Sequence, residues 1–193
     1  MKSVCVFCGA NPGTNPAYAA AAKDLGSRIA SRGLQLVYGG GGCGMMGIVA
    51  DAALAAGGQV IGVIPRGLAT KELAHQGLHE QHIVANMHER KAMMSELADG
   101  FIAMPGGFGT FEELFEVITW AQLGIHRKPV ALLNVDGYYD PLIAMLDKAR
   151  DDAFIGPEYR KLLLDDANGE SLLNRFENYE SPNLPTWMTF DET

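Results

Sequence analysis

The chain has 193 residues, 48% hydrophobic and 20% charged, with a formal net charge of −8. That composition is ordinary for a soluble globular domain with a substantial core, and it argues against a general nucleic-acid binder, which needs a broad basic surface. A single nucleotide stays compatible with the acidic balance, because one buried phosphate needs only an Arg or Lys and some amides.

Val4–Phe7 reads as a first strand, entered directly from Met1-Lys2-Ser3. With no apolar run long enough to span a membrane, the expected location is cytoplasmic, with no membrane or nucleic-acid partner. Cys5 and Cys8 have CxxC spacing but lie along that strand, not at a helix start that would lower a thiol pKa, so both are expected to be small buried hydrophobes. A helix over Pro16–Arg32 is opened by Asn15-Pro16 and closed by Gly33. Leu34–Tyr38 is a second strand, running into Gly39-Gly40-Gly41-Gly42, and a helix follows from about Met45 to Ala56.

Gly42-Cys43-Gly44-Met45-Met46-Gly47 matches GxGxxG, which fits either a tight helix–sheet turn or a nucleotide contact. NAD is disfavoured. The loop follows the second strand, and the third, Val60–Ile64, ends at Pro65-Arg66 with no acid for a ribose. Arg66 meeting a 2′-phosphate would make an NADP reductase, a minor rival. There is no GxxxxGK[ST] sequence for a P-loop.

Arg66–Ala85 is the least regular segment and is read as a short helix and a mobile loop. His75, His79 and His82 fall at i, i+4, i+7, but Gly77 interrupts them and no carboxylate-rich set accompanies them, so no metal site is expected. Met87–Ala98 is a helix on which Arg90 shares a row with Met87, Met94 and Leu97, facing inward more than Lys91. A buried Arg must be paired, either in a structural ion pair or as a clamp on a phosphate or catalytic carboxylate. Phe101–Met104 is a strand, Thr110–Leu123 a helix, Val130–Val135 a strand and Tyr139–Asp151 a helix. The tail from about residue 156 has a helical stretch at Glu170–Tyr179 and is read as peripheral.

Apolar strands alternating with helices predict one α/β domain over residues 1–193, a doubly wound, Rossmann-like parallel sheet with helices on both faces and ligands at the carboxyl ends of its strands. Pro105-Gly106-Gly107-Phe108-Gly109-Thr110-Phe111-Glu112-Glu113 is the most informative stretch. Strand, glycine turn and helix start leave backbone N–H groups facing a ligand, which suits a phosphate. Thr110 to Glu113 also has capping-box spacing, in which Glu113 would reach back to the Thr110 N–H. Glu113 shares its row with Val117 and Trp120, so a partly desolvated carboxyl with a raised pKa is expected.

Met87-His88-Glu89-Arg90-Lys91 and Pro105–Glu113 match the two signatures MHxRK and PGGxGTxxE, and the chain thereby resembles the LOG ("lonely guy") family of cytokinin-activating phosphoribohydrolases. The similarity continues through Thr119-Trp120-Ala121-Gln122-Leu123-Gly124 and Leu133–Tyr139, and covers nearly everything from Val4 to about Ile155. The resemblance implies cleavage of the N-glycosidic bond of nucleoside 5′-monophosphates, such as N6-isopentenyl-AMP or AMP, to free base and ribose 5-phosphate. It implies Arg90 and Glu113 as the catalytic pair. It also implies Glu72, Arg90, Lys91, Gly106, Gly107, Phe108, Gly109, Thr110, Phe111, Glu112 and Thr119 as the substrate site, with Glu72 resting on the resemblance alone. A homodimer or larger homo-oligomer follows from it, with no metal or cofactor. The rival reading is a non-enzymatic nucleotide-binding module using the same loops. Such proteins often carry the label lysine decarboxylase, but a pyridoxal enzyme needs a Schiff-base lysine within a phosphate site. Lys91 is the nearest candidate, and Arg90 beside it has the better claim on a phosphate.

Overall fold

Five strands that are buried nearly throughout form the centre of the sheet: β1 (Ser3–Phe7), β2 (Gln35–Tyr38), β3 (Val60–Pro65), β5 (Phe101–Ala103) and β6 (Val130–Leu133). Two further strands, β4 (Glu80–Val84) and β7 (Leu163–Asp166), complete it at the edges. The order is β4-β3-β2-β1-β5-β6-β7, with every neighbouring pair parallel. The computed structural model describes residues 1–69 and 74–189.

Among the described residues, six α-helices connect the strands, α1 (Pro16–Ser31), α2 (Gly44–Ala55), α3 (Met87–Leu97), α4 (Phe108–Leu123), α5 (Asp140–Asp151) and the short α6 (Pro157–Arg160), and α7 (Gly169–Glu177) follows the last strand. Successive strand side chains point to opposite faces. Val4, Val6, Leu36 and Ile102 therefore pack with Leu25, Ile29, Val49 and Leu172 of α1, α2 and α7. Cys5, Phe7, Val37 and Phe101 pack instead with Met94, Leu114 and Val117 of α3 and α4. A parallel sheet covered on both faces is the doubly wound α/β fold that the alternation of elements predicts.

Three local expectations are corrected. The segment Arg66–Ala85, read as irregular, contains β4. Glu80, Gln81 and Ile83 on that edge are exposed, so the strand carries no continuous apolar run. The tail, read as peripheral, supplies β7 and the core residues Leu172, Leu173 and Phe176 of α7. Finally, α4 begins at Phe108 with Gly107 at its N-cap, which puts Thr110 inside the first turn and Glu113 beyond it. Thr110 to Glu113 is therefore not a capping box. A reciprocal cap like a capping box does stand at the start of α3, where the N-cap Asn86 accepts from the Glu89 N–H at 2.9 Å and the Glu89 carboxylate accepts at 2.9 Å from the N–H of Ala85, the residue before the cap.

The strand order also fixes where a ligand sits. From β1 the chain winds outward through β2, β3 and β4, then returns to place β5 on the other side of β1. Loops leaving β1 and β5 diverge at this switch point and open a crevice at the carboxyl ends.

Candidate active site

A cleft of about 750 Å³ opens at the switch point, lined by the loops after β1, β2 and β5 and by the first turns of α2 and α4. Two of these loops are tied together, since the Gly9 N–H donates to the Pro105 carbonyl at 3.1 Å. Gly106 and Thr110 line the cleft close to that tie. A Cβ on Gly106 would lie 2.1 Å from Thr110 Oγ1 and 2.9 Å from Gly9 N, so only glycine fits. A Cβ on Gly107 or Gly109 would meet nothing within 4 Å. The start of α4 therefore faces open space with the unpaired amides and positive dipole end that suit an anion.

Arg90 and Glu113 meet in the same cleft. The reciprocal cap fixes the start of α3, and Arg90 follows it on the inner face. Its Nε donates to the Val63 carbonyl at 3.1 Å and its Nη2 to the Gly39 carbonyl at 3.4 Å. A Cβ on Gly39 would lie 1.9 Å from Nη2, so this guanidinium position requires glycine at the end of β2. With two nitrogens engaged by backbone, Nη1 lies 3.3 Å from Glu113 Oε1. Arg90 is 9% and Glu113 7% exposed, so the pair is almost fully desolvated. Burial pushes the Glu113 carboxyl up to about 7, against the opposing pull of Arg90. A carboxyl poised there exchanges a proton near neutrality, which an acid or base acting on a bound substrate requires.

A sequence model of the family described as possible lysine decarboxylase matches residues 46–175. The cytokinin riboside 5′-monophosphate phosphoribohydrolase LOG7 of Arabidopsis thaliana is 51% identical over 180 residues, which cover 93% of this chain and 83% of that protein. The chain belongs to the LOG family. LOG5 of the same plant is 52% identical over 183 residues, covering 95% of this chain and 80% of the relative. The probable phosphoribohydrolase LOGL5 of Oryza sativa subsp. japonica is 50% identical over 182 residues, covering 94% and 74%. Among solved structures, TM1055 matches with a TM-score of 0.72 at 22% identity, covering 93% of this chain and all (100%) of that one. The molybdenum cofactor binding protein of Rippkaea orientalis matches with a TM-score of 0.70 at 21% identity, covering 92% and 97%. These two likenesses show a shared fold.

Of the residues that the LOG resemblance implies, the cleft gathers Arg90, Glu113, Gly106, Gly107, Gly109 and Thr110. Glu72 lies outside the described residues. Lys91 is as buried as Arg90, contrary to the expectation that Arg90 faces inward more than it does, and its ammonium is held by Glu112 and Glu116. Burial works to lower the Lys91 pKa, but these carboxylates outweigh it and raise it. A charged, doubly paired ammonium outside the cleft is no Schiff-base nucleophile, so Lys91 does not serve as a pyridoxal lysine. Phe111 packs edge-on against Tyr139, with ring centroids 6.5 Å apart. Phe108, Glu112 and Thr119 lie on the exposed side of α4, and the Thr119 hydroxyl donates to the Phe115 carbonyl at 2.7 Å.

The second glycine loop packs closely and also borders the cleft. A Cβ on Gly44 would lie 2.2 Å from the Ala10 carbonyl oxygen and one on Gly47 2.4 Å from that of Gly42, so these glycines permit close packing. Gly41, Cys43, Met45 and Met46 also line the cleft. Cys5 and Cys8 are buried and burial pushes both thiols up, as expected for structural cysteines. His75 is paired with Asp51 at 3.0 Å. Tyr18 and Tyr138 also line the cleft; Tyr18 belongs to no motif, Tyr138 falls in the similar stretch Leu133–Tyr139 without a role assigned to it, and only the fold brings the two together. Among the described residues no helix is long and apolar enough to cross a membrane.

Proposed function

We propose that this protein hydrolyses the N-glycosidic bond of nucleoside 5′-monophosphates, N6-isopentenyl-AMP and AMP among them, to free base and ribose 5-phosphate. The observation that carries this reading is the desolvated Arg90–Glu113 pair, set beside an open helix start at the switch point. Pure binding of an anion gains nothing from a buried acid next to it. The names of the curated relatives support the same reaction.

Loss of the base develops positive charge on the ribose around C1′, as in glycoside hydrolysis. The 5′-phosphate sits on the amides of Gly107, Phe108, Gly109 and Thr110 and anchors the sugar. Glu113, one turn further along α4, stabilises the charge at C1′ as carboxylate and takes a proton from the attacking water. The C1′–N bond breaks, the water oxygen ends on C1′ as a hydroxyl, the departing base takes a proton from solvent on its ring nitrogen, and Glu113 returns its proton to solvent, so that one water is consumed overall. Arg90 holds Glu113 in place and keeps it ionisable in a dry site.

A second copy of this chain is the partner assigned to the outer row of α4. Phe108 is 94% and Phe115 40% exposed on that row, next to Glu112 and Thr119. A second copy seated there would let Thr119 serve substrate although it lies outside its own cleft.

Replacement of Glu113 by Gln keeps an acceptor for Arg90 but removes the ionisable group. Glu113→Gln and Arg90→Ala are each expected to lower turnover of AMP or N6-isopentenyl-AMP by about a thousandfold or more while the far-ultraviolet spectrum is unchanged. Near-normal turnover by folded Glu113→Gln would remove Glu113 from the reaction.

A further inference from the structure

The chain between β6 and α5 makes a strained turn with no role in the reaction just described. Asp136 adopts φ 51, a left-handed conformation uncommon outside glycine, and Gly137 follows at φ 72. Side chains over-determine this turn. Asn15 Nδ2 donates to Asp136 Oδ2 at 2.6 Å, Asn134 Nδ2 to Asp140 Oδ1 at 2.7 Å, and the Tyr139 N–H to Asn134 Oδ1 at 2.7 Å. Its effect is to aim two consecutive phenols at the loop after β5. Tyr139 donates to the Met104 carbonyl at 2.6 Å, and Tyr138 donates to the Gly106 carbonyl. Tyr139 is buried, whereas Tyr138 lines the cleft, with Tyr18 packed edge-on against it at 5.6 Å between centroids.

The bond from Tyr138 falls on the one peptide that separates Gly106 from Gly107. This peptide is trans, so the carbonyl of Gly106 and the N–H of Gly107 point in opposite directions. Glycine on both sides makes this peptide easy to rotate, and an unrestrained rotation would turn a carbonyl oxygen toward an anionic ligand. We propose that Tyr138 is a positioning residue for the phosphate loop: its hydroxyl holds the Gly106 carbonyl and so keeps the Gly107 N–H presented to the 5′-phosphate. This assignment rests on the phosphate placement proposed above. It adds that the loop is latched from the β6–α5 turn, and it gives the strained turn a function.

The test is calorimetric titration of ribose 5-phosphate into wild type, Tyr138→Phe and Tyr139→Phe, with KM and kcat for AMP measured alongside. Both variants keep the ring and lose one hydroxyl. Tyr138→Phe is expected to bind ribose 5-phosphate about tenfold more weakly and to raise KM by a similar factor, with kcat within about twofold. Tyr139→Phe is expected to lower the melting temperature and to leave ribose 5-phosphate affinity unchanged. Unchanged affinity in Tyr138→Phe, an equal loss in Tyr139→Phe, or no ribose 5-phosphate binding by wild type would each overturn the latch. Wild type that binds ribose 5-phosphate but leaves AMP intact would overturn the hydrolase reading instead, and the binding comparison would still decide for or against Tyr138.

Discussion

Glu113 is the side chain on which burial and pairing compete most directly. Because its carboxyl is raised to about 7, the folded protein holds a proton there that the unfolded chain releases near 4.5. The stability contributed is fully present below the ordinary carboxylate range and is lost as pH rises through about 7. Catalysis has the opposite slope, since the carboxylate is the working form: kcat/KM for AMP is expected to rise with pH and level off above about 7. Glu113→Gln should flatten the stability profile over that window, which denaturation midpoints at a series of pH values would show. The glycines of the same loop separate packing from ligand contact. Gly106→Ala forces a Cβ against Thr110 and Gly9, so it is expected to lower both melting temperature and activity. Gly107→Ala meets nothing in the protein, so its melting temperature should hold while KM rises about tenfold from crowding of the ligand. Equal melting behaviour in the two variants would contradict this loop geometry.

Whether an element was legible depended on where it lies in the sheet. The central strands are buried on both faces and read as unbroken apolar runs, so β1, β2, β3, β5 and β6 are predicted within a residue or two. β4 and β7 are edge strands whose exposed polar residues, Glu80 and Gln81 in one and Asp165 in the other, break the apolar run and hide them. The start of α4 was misplaced because Gly107 and Gly109 carry turn chemistry, yet they open a helix whose first turn lines the cleft. Arg90 and Glu113 were legible because helical rows place each on an inner face, whereas no row shows that the two faces meet. Lys91 was misread because its partners, Glu112 and Glu116, come from another helix. The tail gives the clearest energetic test. Phe176 is 4% exposed and packs among Leu25, Ile29 and Leu172, so Phe176→Ala is expected to cost about 3–5 kcal/mol. At this chain length that lowers the melting temperature by about 10 °C, and a change under about 2 °C would return the tail to the periphery.

Across the whole molecule, the site is a product of topology: the switch at β1 and β5 opens the cleft, α4 brings an open helix N-terminus and an acid to it, and α3 brings the cation. The outer row of α4 leaves Phe108 and Phe115 uncovered in the single chain. Light scattering should show a dimer or larger assembly, and Phe115→Asp should shift it toward monomer with loss of activity. A fully active monomeric wild type would remove the second copy from the account. The most direct measurement is chromatography of the reaction products from AMP and, separately, N6-isopentenyl-AMP, incubated with wild type and with Glu113→Gln. The account predicts free base and ribose 5-phosphate from wild type alone. Intact nucleotide in every sample, with binding retained, would contradict it and leave a nucleotide-binding module.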